Sequence, residues 1–388
     1  MTKKTIFTDL VMQPIAHFSH AVRIGNLIHV GATAGTDAER RLAGVTLGHV
    51  DVAAQAKKMF DNVAVVLNQL GACLENTVRV KTYLADLRDL PIYRARFAET
   101  MGAIRPTHVV VGSAGFPLPQ AAIELDLIAV VDAPIARFPD SGGNASSAAD
   151  RYYCVAGPVS RAESTQEGFA VQVDEAFCQL RRRLAAGGRK PTDTVYVHAT
   201  LSDVRFAELF RIAFDAFFPP PSPACVTVIA QLPEVAWLLQ LEVVAVEGGG
   251  VSIQSTLPQS GFDLGSPAVL AGDELYIGGQ CGIGPDGCLA SGGEAQTRMA
   301  WHRIASLLTS TGMTTDDVLR TNNVLTDWRT YSGFNAGYGA NVSKPYPPRA
   351  TVFGNLIAEG ALVQMEAVAH RDGRAATIVQ AGNPAREK

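Results

Sequence analysis

Residues 318–328 read VLRTNNVLTDW, and near-copies of this stretch occur twice upstream. Residues 76–87 read NTVRVKTYLADL and residues 194–204 read TVYVHATLSDV, each an alternating, β-rich run closing on an aspartate: Asp86, Asp203 and Asp327. The intervals between these aspartates are 117 (203 − 86) and 124 (327 − 203) residues. A period this long exceeds that of a solenoid unit, so the pattern predicts three whole domains fused in tandem.

One order of elements surrounds each copy. In the first, AVRIGNLIHVGAT carries Gly25-Asn26 between two alternating runs, the signature of a hairpin. Apolar residues then recur every three or four positions from Val52 through Met59, Phe60 and Val63 to Leu70, predicting a helix over 52–70 capped by Gly71. The repeated strand, a second helix over 91–101 and the strands HVVVGSAGF and AIELDLIAVV complete the order ββαβαββ. The second copy starts at Tyr152, is shorter at its front, and has helices over 169–184 and 205–217. The third restores the hairpin as AVLAGDELYIGGQ, with helices over 294–308 and 331–338. Domains are expected at 1–132, 149–247 and 261–372, joined by Gly-, Ser- and Pro-containing linkers at 133–148 and 247–260 and followed by a loose tail after Asp372. Two helices cover only one face of each sheet, and runs such as VVV and IAVV are apolar on both sides. The open faces are therefore expected to meet inside the molecule, closing an intramolecular pseudo-trimer, either monomeric or a dimer of such units.

Of the 388 residues 47% are hydrophobic and 18% charged, with a formal net charge of −4 and a pI near 6.1. This balance provides no basic footprint for nucleic acid or an anionic membrane. No apolar h-region follows Lys3-Lys4 and no run reaches the ~18 apolar residues of a spanning helix, so a soluble, cytoplasmic protein is expected. Six cysteines without C-x-x-C spacing argue for free thiols, not a zinc site or disulfide framework.

Five pieces of the sequence resemble the RidA/YjgF/UK114 family: the hairpin step Gly278-Gly279-Gln280, helices opening Ala54-Gln55 and Ala295-Gln296, strands closing on aspartate, Pro347-Pro348-Arg349, and Ile123-Glu124-Leu125-Asp126. The resemblance implies an α+β fold of three tandem ββαβαββ, chorismate-mutase-like domains. It also implies hydrolysis of 2-imino or 2-enamine acids to 2-keto acids and ammonia in clefts between units, with no metal or organic cofactor. Arginine grips the substrate carboxylate through its planar fork, and glutamate on the fifth strand positions the attacking water. Within single repeats the motif breaks. The third keeps Arg349 and Thr351 but has Gln364 for glutamate; the first keeps Glu124 but has His108 for arginine; the second has Ala224 and Gln240. The expected site is therefore the third repeat, with Gly279, Gln280, Arg349, Thr351, Gln364, Asn335 and Tyr338; a rival is built on His108 and Glu124. Because no repeat holds the full arginine–glutamate pair, a reaction diverged from ordinary deamination is favoured. Chorismatase-like or other lyase chemistry and non-catalytic binding of a small carboxylate stay open. Simpler roles stand beside these: a surface ion pair for Arg349, packing for His108, an inert thiol for Cys281. Gly282–Gly287 matches G-x-G-x-x-G, but Pro285-Asp286-Gly287 is turn chemistry and no helix starts inside it.

Overall fold

The computed structural model describes residues 1–140, 143–258 and 264–381. Its first third contains β1 (Lys3–Thr8), β2 (Ala21–Ile24), β3 (Leu27–Ala34), a ribbon of β4 (Val45–Thr46) and β5 (His49–Val50), α1 (Val52–Asn68), β6 (Thr77–Leu84), α2 (Leu90–Met101), β7 (Thr107–Gly112) and β8 (Ile123–Val130). The middle third contains β9 (Ile135–Asp140), β10 (Gly143–Ala148), β11 (Arg151–Ala156), α3 (Gln166–Ala186), β12 (Thr194–Leu201), α4 (Ala207–Phe217), β13 (Ala224–Ile229) and β14 (Leu239–Val246). The last contains β15 (Val251–Ile253), β16 (Ala268–Ala271), β17 (Glu274–Cys281), α5 (Gly292–Thr309), β18 (Val318–Leu325), α6 (Tyr331–Gly339), β19 (Arg349–Phe353), β20 (Val363–His370) and β21 (Ala376–Ala381).

These strands form three large sheets ordered β21-β1-β2-β3-β8-β6-β7, β13-β12-β14-β11-β10-β9 and β15-β16-β17-β20-β18-β19. The repeated stretch is the strand β6, β12 or β18, held between a parallel neighbour and an antiparallel one. Its closing aspartate caps the following turn: Asp86, Asp203 and Asp327 accept from the backbone N–H of Arg88, Arg205 and Arg329 at 2.9, 2.9 and 2.8 Å. The aspartates are therefore chain-turning residues. Gly282–Gly287 lies in a hairpin turn, with Gly284 N–H bonded to Cys288 O, and α5 begins only at Gly292.

Three expectations need correction. The linker at 133–148 is largely the strand pair β9–β10, which supplies the missing front of the second sheet. Residues 251–253 of the second linker pair with β16; part of that linker lies outside the described residues. The tail is not loose through residue 381, because β21 pairs in parallel with β1 from Lys3↔Ala376 to Thr8↔Ala381. In each case a short stretch without a long alternating pattern becomes a strand because a sheet edge satisfies its backbone.

Each helix pair packs on one face of its own sheet, giving three separate apolar clusters centred on Phe60, Phe210 and Trp301. The opposite faces of all three sheets meet in a fourth cluster that includes Val22, Val78, Ile128, Tyr153, Val195, Val226, Val244, Tyr276, Leu319 and Val368. Charge is buried beside it. Arg79 pairs with Asp126 of its own sheet and with Glu242 of the second, and Lys81 Nζ lies 3.2 Å from Glu242. Burial alone would raise the Glu242 carboxyl, but Arg79 and Lys81 hold it below the usual range. Asn322 Nδ2 donates to Glu366 at 2.7 Å, and Tyr196 of the second sheet donates to the same carboxylate. Among the described residues no helix is long and apolar enough to cross a membrane.

Candidate active site

The ladder fixes which residues are equivalent. Val80 pairs with His108, Val197 with Cys225 and Thr321 with Arg349. The residues one step on, Lys81, His198 and Asn322, pair with Asp126, Glu242 and Glu366. Cys225, not Ala224, therefore stands at the arginine position of the second repeat. Two residues before the shared acids lie Glu124, Gln240 and Gln364.

The first and third repeats together build one cleft. Glu124 from β8, Arg349 and Thr351 from β19, and Tyr331 from α6 line the same space of about 480 Å³, with Met12, Ile15, Phe18, Ala32, Ala34, Pro117 and Leu118. The arginine–glutamate pair missing from every single repeat is thus assembled from two. β3 runs close to β19 because position 31 is glycine: a Cβ there would sit 3.0 Å from Arg349 N and 3.1 Å from its carbonyl oxygen.

Arg349 is buried and held in an aromatic box. Its guanidinium carbon lies 4.6 Å from the Tyr338 ring, 5.0 Å from Phe334 and 5.3 Å from Phe18. Nη2 donates to Asn335 Oδ1 at 2.5 Å, while Nη1 is buried without a partner. No carboxylate pairs with it among the described residues; burial lowers its proton affinity, partly opposed by the Tyr338 and Tyr331 hydroxyls. Such a guanidinium remains charged, and an unpaired buried cation is costly unless a ligand completes it. Glu124 sits nearly buried across the cleft, and burial alone raises its carboxyl from the ordinary 4.5 to about 8.

Its placement depends on a buried glutamine. Gln55 of α1 donates to Gln120 O at 3.0 Å and accepts from Ala122 N at 2.9 Å, pinning the chain as it enters β8. Gln172 and Gln296 clamp the corresponding loops at Ala236/Leu238 and Gly360/Leu362. Asn323 Nδ2 reaches Ala350 O at 2.8 Å and the Thr351 hydroxyl at 3.3 Å, holding that wall.

The other expected residues lie elsewhere. Gln364 faces Gly279, where a Cβ would meet its Nε2 at 2.6 Å, and Gly278 abuts Cys225, where a Cβ would sit 2.7 Å from the Cys225 carbonyl oxygen. Gln364 shares a pocket with His198, Thr200 and Val226 of the second repeat, whereas Gln280 is buried in its own repeat and accepts from Arg303 Nε of α5 at 3.1 Å, so Gly279, Gln280 and Gln364 do not join Arg349. Burial raises the Cys225 thiol to about 12, so it is no thiolate at neutral pH. His108 is also separated from Glu124. It stacks on Phe97 with centroids 3.7 Å apart and lies 2.8 Å from the Tyr93 hydroxyl, and burial lowers it to about 3. At that interface Val155 takes the place held by Gly31 and Gly278, and it packs with Val109 and Val111. Sequence reading missed Gly31, Tyr331, Phe18 and the roof residues Met12 and Ile15; only the Gly in LIHVGAT carried a signal.

The chain belongs to a known family: the model described as Endoribonuclease L-PSP, the RidA/YjgF family, matches residues 9–131 and 264–371. A RutC family protein of Pyrococcus abyssi is 32% identical over 129 residues, covering 33% of this chain and 98% of its own. A 2-iminobutanoate/2-iminopropanoate deaminase of Dermatophagoides farinae is 27% identical over 130 residues, 34% of this chain and 98% of its own. Among solved structures, a chorismatase aligns over 76% of this chain and 93% of its own with a TM-score of 0.55 and 12% identity, a likeness of fold. RidA from a Psychrobacter species is 31% identical over 31% of this chain and 98% of its own, with a TM-score of 0.29.

Proposed function

We propose that the protein is an imine hydrolase built as an intramolecular pseudo-trimer of three RidA-like units, with one working cleft between the first unit and the third. What carries this reading is the convergence of Arg349 and Glu124 on one cleft from different repeats. The broken motif within each repeat, which favoured a diverged reaction, loses its force once the pair is formed across an interface.

The substrate is a small 2-imino or 2-enamine acid. Its carboxylate completes the open Nη1 of Arg349. Glu124 holds water against C2 and takes its proton as oxygen bonds to that carbon. That proton passes to the imine nitrogen, giving a carbinolamine; Glu124 then moves the new hydroxyl's proton to the amine as the C=O forms and the C–N bond breaks, and a 2-keto acid and ammonia leave. A carboxyl near 8 is suited to both halves of this transfer at neutral pH. The relative from Dermatophagoides farinae, a deaminase by name, supports the reaction class.

The test is hydrolysis of 2-iminobutanoate generated in situ by an amino-acid oxidase, followed as ammonia release, with Arg349→Ala and Glu124→Gln as controls. Turnover lost in both variants supports the reading; no turnover by the native protein, or turnover untouched by either substitution, overturns it. Titration with 2-ketobutyrate should give one site per chain, and light scattering should give a monomer or dimer, not a trimer of chains.

A further inference from the structure

We propose that a second ligand site, for a short aliphatic α-amino acid bound as its zwitterion, lies where the three repeats meet; it stands apart from the Arg349–Glu124 cleft and from the hydrolase reading. Lys81 of the first repeat, His198 and Thr200 of the second, and Gln364 and Glu366 of the third line one well of about 520 Å³, close to the 480 Å³ of the cleft. Lys81, His198 and Asn322 hold equivalent places in the three repeats. Three identical chains would put one residue type at all three, whereas the fused chain sets an ammonium on one side of the well and a carboxylate on another.

These groups are buried with bonding capacity left over. Lys81, His198, Thr200 and Glu366 are each 6% exposed or less. Lys81 Nζ has one carboxylate within 4 Å, Glu242 at 3.2 Å, and His198 Nε2 lies 4.0 Å from Glu366. Among the described residues no group hydrogen-bonds to the His198 ring, the Thr200 hydroxyl or the Gln364 amide, whose Oε1 is buried. Ammonium, hydroxyl and amide N–H together suit a carboxylate. Glu366, whose oxygens accept from Asn322 and Tyr196 and each keep a lone pair, suits an ammonium. The buried network around the well is already balanced, with Arg79, Lys81 and Arg320 against Asp126, Glu242 and Glu366. A ligand of single charge upsets that balance and a zwitterion does not. Val226, Val228, Val324 and Val352 supply an apolar wall for an aliphatic side chain. Backbone bonds across repeats, Gly112 N–H to Gln231 O at 2.8 Å and Ile229 N–H to Asn355 O at 2.9 Å, hold the strand ends that border the well, so it is formed before a ligand arrives.

Isothermal titration of the full chain with L-valine should show one site per chain, and its affinity should persist in Arg349→Ala, which removes the anchor of the other cleft. Isovalerate and isobutylamine, each lacking one of valine's two charges, should bind at least ~10-fold more weakly. Lys81→Met and Thr200→Val should each weaken valine binding by ~10-fold or more. Thr200→Val keeps the shape of the side chain and tests the site even where Lys81→Met disturbs folding. No binding of valine, binding lost in Arg349→Ala, affinity unmoved by Thr200→Val, or equal binding of the single-charge analogues overturns the site.

Discussion

Replacing Glu124 by glutamine keeps the side chain's shape and removes its titration. Burial moves the carboxyl from 4.5 to about 8, and at about 1.4 kcal/mol per tenfold change in proton affinity, ionising it in the folded protein costs on the order of 4–5 kcal/mol. The folded value lies above the unfolded one, so the protonated form contributes stability that is intact below pH 4.5 and lost as pH rises through about 8. Glutamine has no such dependence. Denaturant unfolding of wild type and Glu124→Gln at a series of pH values should therefore give curves that coincide near pH 4.5 and diverge as pH rises, with the variant the more stable by at least ~2 kcal/mol at about pH 8. The same substitution should reduce kcat/KM by ~10²–10⁴-fold, while wild-type kcat/KM climbs with pH through about 8. Stability curves that run parallel across this range would refute the claim that Glu124 is held protonated by its surroundings.

Arg349→Lys should lose about 2–3 kcal/mol of substrate binding, roughly 30- to 150-fold in kcat/KM, because a point charge cannot reproduce a bidentate fork. Arg349→Met should abolish turnover without lowering the melting temperature, since the buried guanidinium has no carboxylate partner among the described residues; a large drop on thermal scanning counts against its role as an open ligand anchor. Gln364→Glu should create no second deaminase site, because Cys225 and not an arginine stands across that interface; steady-state kinetics on 2-iminobutanoate test this. Glu242→Gln leaves Arg79 and Lys81 short of a buried counter-charge and should cost ~3–5 kcal/mol in denaturant unfolding.

The helices and the strands flanking them were legible because their periodicity is local: α1 follows the apolar stripe from Val52, and its end falls within two residues of the expected one. β10 was not, since GNASSA reads as linker until a neighbouring sheet offers its edge, and β9 beside it, IARFPD, carries a proline. The mistaken Ala224 equivalence is a one-residue slip, the error that alternation punishes most because it changes which face is read. The site itself eluded any reading confined to one repeat. The family motif marks Arg349 and Glu124 singly, but their meeting depends on which sheet edge faces which, and that is decided by close approaches such as Gly31 against Arg349. Gln55 belongs to a motif visible in the sequence, yet its role as a loop clamp follows only from Gln120 and Ala122 lying beside it.

The pairing of β21 with β1 also governs how the molecule bears force. The strands are parallel, so tension entering at Lys3 and leaving at Ala381 pulls them in opposite senses along their own axes. Their hydrogen bonds lie across that direction and are loaded together, not peeled one at a time. A handle attached at each end in a single-molecule pulling experiment should meet a sharp rupture peak before any of the three helix-backed cores extends, and removing residues 376–381 should abolish that peak.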